Sequence, residues 1–149
     1  MLQVHYETEI HAPVEEVWKL FCDIQNYTKH IAYVQKVVDA EEFKEGVLWY
    51  DITTVLWVPL KVYHRITTIG KNYLRFDLSG FGIKEEVEEI RVEAGKGNKT
   101  HVTMDITFDL GSIFNFLLGK LVQKRLYIMC DKTARNFDNW YKANKDREE

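Results

Sequence analysis

The chain has 149 residues, a net charge of −3 and charges of both signs spread along its length. This length fits one domain with a single sizeable core, so we expect residues 1–149 to form one domain. The slightly acidic balance gives no reason to expect nucleic-acid binding. No apolar run approaches the roughly 20 residues that span a bilayer, and no charged-then-apolar leader is recognisable, so we predict a cytoplasmic protein.

The first part of the chain predicts one strand and two short helices. Alternating apolar residues from Val4 to Ile10 indicate a strand with one buried face. Pro13 favours a helix start, because its missing N–H costs nothing at the first helical position. An apolar stripe continues to Phe21, and a second short helix is predicted over 23–30.

The middle of the chain predicts six further strands. We place them at 34–40, 46–56, 58–69, 72–79, 83–94 and 99–110. Short turns separate them, and short turns join antiparallel neighbours, whereas parallel neighbours need long crossover connections. We therefore expect an antiparallel sheet.

The last element is a long amphipathic helix from Ser112 to about Lys145. Its apolar residues recur at steps of three and four, which is the helical period. At about 1.5 Å per residue the helix is on the order of 45–50 Å long, so it must cross the whole domain. These elements predict an α+β fold in which the helix lies across the concave side of a curved sheet.

Two segments near the N-terminus resemble those of a known family. Residues 10–18 read Ile-His-Ala-Pro-Val-Glu-Glu-Val-Trp, which is similar to the Ile-x-Ala-Pro-x-x-x-Val-Trp start of that family's first helix. Residues 23–34 resemble its Asp-x-x-x-Tyr-x-x-Phe/Trp-x-Pro-x-Val segment, with Ala32 where a proline is common. With the order β-αα-β6-α, the chain resembles the START-like or SRPBCC (birch-pollen-allergen-like) superfamily, in its polyketide cyclase/dehydrase and lipid-transport-like branch. It also has some similarity to coenzyme Q-binding members.

The resemblance implies a helix-grip fold, in which a seven-stranded curved antiparallel sheet wraps around the C-terminal helix and encloses a cavity. The superfamily includes lipid carriers, hormone receptors, cyclases and oxygenase subunits, so the fold does not select a function. The sequence has no glycine-rich phosphate loop and no His/Cys set with metal spacing, so we predict no cofactor and no metal. Cys22 and Cys130 are expected to be reduced, buried thiols.

Strand alternation predicts which side chains face the helix. On three strands the inward set is Val62, His64, Ile66, Leu74, Phe76, Leu78, Val102, Met104, Ile106 and Phe108. The strand 46–56 is ambiguous. Its better inner set is Leu48, Tyr50, Ile52 and Leu56, and the weaker alternative is Trp49 and Asp51.

The strand 83–94 contains a conflict between two faces. Ile90 near its end is expected to face inward, and strict alternation then brings Glu86 and Glu88 inward as well. Ile83 and Val87 favour the opposite face. A β-bulge near Glu88 would reconcile the two patterns, so we expect one there.

Two polar residues fall at inner positions. His64 is either a neutral histidine satisfied by its neighbours, or a hydrogen-bond donor or proton shuttle toward a ligand. Arg125 lies near the middle of the apolar stripe of the long helix, and a buried guanidinium needs a partner. Its partner is either a carboxylate from the set Asp51, Glu86 and Glu88, or a carboxylate, phenolate or carbonyl of a ligand.

One end of the predicted sheet carries apolar turns. We expect Trp57, Phe81 and Ile113 to meet there, because alternate turns of an antiparallel sheet lie at the same end. They form either a plug packed on the helix start, or a cavity rim that contacts a membrane, a partner protein or another subunit. Lys120 and Lys124 lie close enough in sequence to meet anionic lipid at such a rim.

We predict binding or transport of a hydrophobic small molecule, such as a lipid, a quinone or a polyketide-like aromatic, with a carrier preferred over an enzyme. The predicted ligand-binding residues are Tyr33, Trp49, Tyr50, His64, Phe76, Met104, Phe108, Phe114, Leu118, Val122, Arg125 and Met129. One alternative is a cyclase/dehydratase-type enzyme that uses His64 as base and Arg125 as donor. Another is a non-catalytic protein-interaction module that uses the apolar end, with a filled interior. The oligomeric state stays open.

Overall fold

The computed structural model of the protein describes residues 1–32, 34–38, 42–54, 57–80 and 82–148, with side chains to residue 145. The elements in chain order are β1 (Leu2–Ile10), α1 (Val14–Cys22), a short 3₁₀ helix (Ile24–Asn26), α2 (Tyr27–His30), β2 (Val34–Val38), β3 (Leu48–Thr54), β4 (Pro59–Gly70), β5 (Tyr73–Gly80), β6 (Ile83–Ala94), β7 (Thr100–Asp109) and α3 (Ser112–Glu148). Among the described helices, none combines the length and the hydrophobicity that crossing a bilayer requires.

The described strands form one antiparallel sheet in the order β1-β7-β6-β5-β4-β3-β2. From β2 to β7, strands that are consecutive in the chain pair with each other. Strand β1 instead pairs with the last strand, β7, and forms one edge of the sheet. The long helix α3 packs on the inner side of this sheet. The predicted α+β helix-grip fold is confirmed.

Local sequence explains where the helices begin. Pro13 lies in extended conformation before α1, and Glu15 and Glu16 occupy its first turn, where carboxylates favour the positive end of the helix dipole. Before α3, Gly111 has a φ of +87°, a conformation that favours glycine. The Asn115 side chain then accepts the Leu110 N–H at 2.8 Å, which fixes the turn between β7 and α3.

The core lies between the concave face of the sheet and the helices. Every second residue of β7 is buried, from Thr100 to Phe108, as strict alternation predicts. Helix α1 contributes Phe21, whose ring stacks on Phe137 of α3 with centroids 5.7 Å apart. Helix α3 is also held by β1, from Gln123, which donates to the Gln3 carbonyl, to Asp138, which accepts the His11 N–H.

The predicted inner face of β3 was wrong. Trp49 and Asp51 are buried, with 1% and 2% of their surface exposed, whereas Leu48 is exposed. Trp49 pairs directly with His64 of β4, and directly opposite residues share a face of the sheet. The aromatic Tyr50 made the other face look like the core, but it packs on the outer surface against Tyr63. Leu56, also predicted inward, lies outside the described residues.

The predicted bulge near Glu88 was also wrong. Glu88 pairs with Phe76 on β5 and with Ile106 on β7, in a register that is continuous at this position on both sides. The shift in the β5–β6 pair occurs only beyond Leu78. Both Glu86 and Glu88 therefore lie on the inner face of the sheet.

Candidate functional site

A hollow of about 640 Å³ lies between the concave face of the sheet and α3. Its volume is within the range of small-molecule sites, roughly 300–1,000 Å³. Strands β3 to β7 supply one wall and α3 supplies the other. The apolar part of this wall includes Val62, Phe76, Leu78, Ile90, Met104, Phe108, Leu118, Val122, Leu126 and Met129.

Most of the predicted ligand-binding residues surround this hollow. Those that line it are Trp49, His64, Phe76, Met104, Phe108, Phe114, Leu118, Val122 and Met129. Tyr33 lies outside the described residues. Tyr50 is on the outer face, where the Lys61 ammonium lies 4.0 Å from the centre of its ring. The prediction that Tyr50 lines the cavity was therefore wrong, for the same reason as the predicted face of β3.

Arg125 does not line the cavity either. Its guanidinium carbon lies 4.9 Å from the centre of the Trp57 ring, in the geometry of a cation–π contact. The long side chain leaves the apolar stripe and reaches the end of the sheet, as amphipathic side chains commonly do. The predicted inward position of Arg125 is corrected accordingly, and the partner in the structure is an indole ring instead of a carboxylate.

The polar part of the wall starts with three residues of β3 and β4. His64 Nε2 lies 2.7 Å from Asp51 Oδ2, and the imidazole stacks on the Trp49 indole with centroids 5.1 Å apart. His64 Nε2, Asp51 Oδ1 and Trp49 Nε1 are buried without an aligned hydrogen bond among the described residues. The contact between His64 and Asp51 is thus a close ion pair whose N–H does not point at the oxygen. Buried polar atoms without partners are unusual in folded proteins.

Glu86 and Glu88 complete the polar wall. Both line the hollow, at alternate positions of β6. Burial and the neighbouring Glu88 raise the pKa of Glu86 to about 7, although His64 opposes this shift. Burial also raises the pKa of Glu88. Burial by itself lowers the pKa of His64, but Asp51 and the two glutamates outweigh it, so the pKa of His64 is raised.

From the sequence, Glu86 and Glu88 were predicted only as possible partners of Arg125, and they were not among the predicted ligand-binding residues. Strict alternation backward from Ile90 places Glu88 and Glu86 on the inner face, and that signal was sufficient. Tyr27 of α2 and Ile31, the residue after it, also line the hollow; both were expected to face inward but were not among the predicted ligand-binding residues. Among the described residues, no group of three or more His, Cys, Asp or Glu side chains is placed to hold a metal ion.

The hollow opens at the apolar end of the sheet. Val58 and Phe114 both line it and are more than half exposed. Trp57 is 70% exposed and Ile113 is 73% exposed, so neither packs as a plug on the helix start. Phe81, the third predicted rim residue, lies outside the described residues. Trp57 also has a φ of +63°, which is uncommon for a residue other than glycine.

The first turns of α3 extend this apolar end. Phe116 is 89% exposed and Leu117 is also largely exposed. We call the set Trp57, Val58, Ile113, Phe114, Phe116 and Leu117 the apolar rim. Two of its members, Val58 and Phe114, also line the hollow.

Comparison with known proteins agrees with this fold. A family model described as polyketide cyclase / dehydrase and lipid transport matches residues 1–139. No curated protein matches the sequence significantly. A solved structure from Thermus thermophilus aligns with a TM-score of 0.77 at 20% identity, over 92% of this chain and 94% of that chain.

Two further solved structures bear names that describe their class. A START superfamily protein from Mycobacterium smegmatis has a TM-score of 0.79 at 11% identity, over 92% of this chain and 94% of its own. The Zhui aromatase/cyclase from Streptomyces sp. R1128 has a TM-score of 0.66 at 15% identity, over 92% and 88%. At these identities the likeness establishes the fold alone. With the family match over most of its length, the chain belongs to the polyketide cyclase/dehydrase and lipid-transport family.

Proposed function

We propose that the protein binds and carries a hydrophobic small molecule in the hollow between the sheet and α3. The observation that carries this proposal is a largely apolar space of about 640 Å³ inside a domain whose buried residues form a hydrophobic core cluster. Protein interiors normally leave few voids larger than a water molecule. Family and fold agree with a domain that binds hydrophobic ligands.

The expected affinity follows from apolar burial. A ligand that buries on the order of 300 Å² of apolar surface gains roughly 7 kcal/mol, at about 25 cal/mol per Å², before the cost of association. Apolar burial is therefore the main source of affinity for a lipid, quinone or polyketide-like aromatic, and the polar wall sets its orientation.

Two measurements test the carrier. Native mass spectrometry of the purified protein should show an additional small-molecule mass. Met104, buried on β7, lines the hollow, so Met104→Trp should reduce binding of an apolar fluorescent dye, whereas Met104→Leu should not. Unchanged dye binding in a folded Met104→Trp protein would exclude binding in the interior.

The apolar rim supports a transient contact with a membrane or a protein during ligand loading. Its side chains are exposed, and Val58 and Phe114 also line the hollow, so the rim joins the cavity to an apolar surface that suits such a contact. Trp57→Ser should slow ligand transfer from vesicles or from a donor protein while leaving equilibrium dye binding unchanged. Equal transfer rates in the variant and the wild type would remove the rim from the pathway.

A second candidate function is acid–base catalysis in the same hollow. It is favoured by the contact of 2.7 Å between His64 Nε2 and Asp51 Oδ2 at the cavity wall, because a carboxylate that holds an imidazole is a common arrangement for proton transfer. Since Arg125 lies outside the cavity lining, the acid partner in this proposal becomes Glu86.

The two functions are separated by His64→Ala. The co-purified molecule is extracted, identified and incubated with emptied protein, and its mass and ultraviolet spectrum are followed. An enzyme changes the molecule and loses this turnover in His64→Ala while retaining binding. A carrier returns the molecule unchanged in both proteins.

A further inference from the structure

The ionisable groups that line the cavity are mostly acidic. The described lining residues include three carboxyl groups and one imidazole, and they include no lysine and no arginine. Asp51 and His64 neutralise each other when both are charged, because they lie 2.7 Å apart. Glu86 and Glu88 remain, and among the described residues His64 is the positive charge that opposes the rise in their pKa values.

The surroundings of the two glutamates are apolar. Glu86 lies between Leu78 of β5 and Phe108 of β7, directly opposite each of them in the sheet. Glu88 lies in the same way next to Phe76. The two carboxyl groups project from alternate residues of one strand, so their Cα atoms are roughly 7 Å apart on the same face. Both side chains retain partial surface exposure although they face inward, because the hollow is in front of them.

A second observation points to a polar ligand. Trp49 Nε1 and Asp51 Oδ1 are buried without a hydrogen-bond partner among the described residues, and both residues line the hollow. One is a donor and the other an acceptor, which is the pair that a ligand hydroxyl can satisfy on both sides. These atoms are on β3, and β4 and β5 lie between them and the glutamates of β6.

We infer that the preferred ligand is an apolar amine, a hydrophobic molecule whose protonated amino group pairs with Glu86 and Glu88. This inference rests on the proposed function. A cation supplies the charge that the described lining lacks, and it forms the stronger, charge-assisted type of hydrogen bond with a carboxylate. An anionic amphiphile such as a fatty acid supplies no positive charge to these groups, and its own carboxylate near Glu86 and Glu88 makes ionisation of all of them more costly. A neutral alcohol of the same chain length should fall between the two.

Displacement of an apolar fluorescent dye at pH 7 tests the inference with three ligands that share one alkyl chain. Dodecylamine, dodecanol and dodecanoate are compared below their micelle concentrations. We expect dodecylamine to displace the dye at a concentration at least about tenfold lower than dodecanoate, which corresponds to about 1.4 kcal/mol. Dodecanoate displacing the dye as well as dodecylamine would overturn the inference.

Variants connect the preference to the named carboxyl groups. Glu86→Gln and Glu88→Gln should each reduce the advantage of the amine, and the double variant should abolish it. Glu85→Gln is the matched control, because Glu85 is the preceding residue of the same strand and is exposed on the outer face. An advantage of the amine that persists in a folded double variant would refute the assignment to Glu86 and Glu88.

The failure of this inference can be distinguished from failure of the proposed function. If all three amphiphiles displace the dye equally well, the hollow binds hydrophobic molecules and the inferred selectivity is wrong. If neither the dye nor any amphiphile binds to the emptied protein, both the carrier and its selectivity are refuted.

Discussion

Replacing Glu86 by glutamine tests whether the inner carboxyl groups destabilise the fold at neutral pH. Burial and the adjacent Glu88 raise the pKa of Glu86 from its ordinary value of 4.5 to about 7 in the folded protein. The folded state therefore holds this proton more tightly than the unfolded state does. Between pH 4.5 and pH 7 the carboxyl group is mostly protonated in the folded protein and mostly ionised in the unfolded chain, so unfolding releases a proton. The free energy of unfolding therefore falls as the pH rises through this range.

The size of the effect follows from the difference in pKa. The difference is about 2.5 (7 minus 4.5), and at 1.36 kcal/mol for each pH unit it corresponds to roughly 3 kcal/mol at most. Water in the unliganded hollow solvates part of the charge, so about 1–3 kcal/mol is expected. The raised pKa values of Glu88 and His64 act in the same direction, because both groups also lose stabilising protonation as the pH rises.

Urea denaturation at pH 5 and pH 8 measures this contribution. Glu86→Gln should match the wild type at pH 5 and exceed it at pH 8 by about 1–3 kcal/mol, because glutamine is neutral at both values. Because Glu85 is exposed on the outer face, Glu85→Gln should have the same free energy of unfolding as the wild type at both pH values. Parallel pH profiles for Glu86→Gln and the wild type would show that the Glu86 carboxyl group is not held in an apolar environment.

Three further predictions concern packing and reactivity. Thr133→Val should lower the free energy of unfolding by about 1–3 kcal/mol in urea denaturation, because the buried hydroxyl accepts a main-chain N–H of the α2–β2 connection at 2.9 Å. Gly80→Ala should destabilise by about 1–3 kcal/mol, since its Cβ would lie 2.7 Å from a main-chain oxygen, whereas Gly70→Ala, with contacts of 3.4 Å, should cost less in the same assay. Burial raises the pKa of the Cys22 and Cys130 thiols, so both should react with Ellman's reagent at pH 8 far more slowly than in the urea-unfolded protein.

The order of the elements could be predicted from the sequence because each boundary has a local cause. Pro13 starts the first helix, and short turns require antiparallel pairing. Alternation assigned β4, β5 and β7 correctly, since each of these strands has one face that is clearly more apolar than the other. These features act over a few residues, so one sequence is enough to recognise them.

The inner face of β3 and the side chain of Arg125 could not be predicted in the same way. On β3, Tyr50 and Ile52 offer as much apolar surface as Trp49, and only the register with β4 decides which of them faces inward. Arg125 has the helical position of a core residue, but its side chain is long enough to reach the Trp57 ring at the end of the sheet. Both depend on contacts between distant parts of the chain.

The inner carboxyl groups are difficult to explain as structural elements. A buried glutamate contributes to stability when a cation pairs with it, and the sequence offered Arg125 for that role. The structure instead places Arg125 on Trp57 and leaves Glu86 and Glu88 facing the hollow. If a carboxyl group lowers stability at neutral pH and also binds the ligand, its replacement should raise the free energy of unfolding and lower the affinity for the ligand. Glu86→Gln should therefore stabilise the empty protein at pH 8 and weaken dodecylamine binding at pH 7, whereas loss of a structural carboxyl group would destabilise the empty protein.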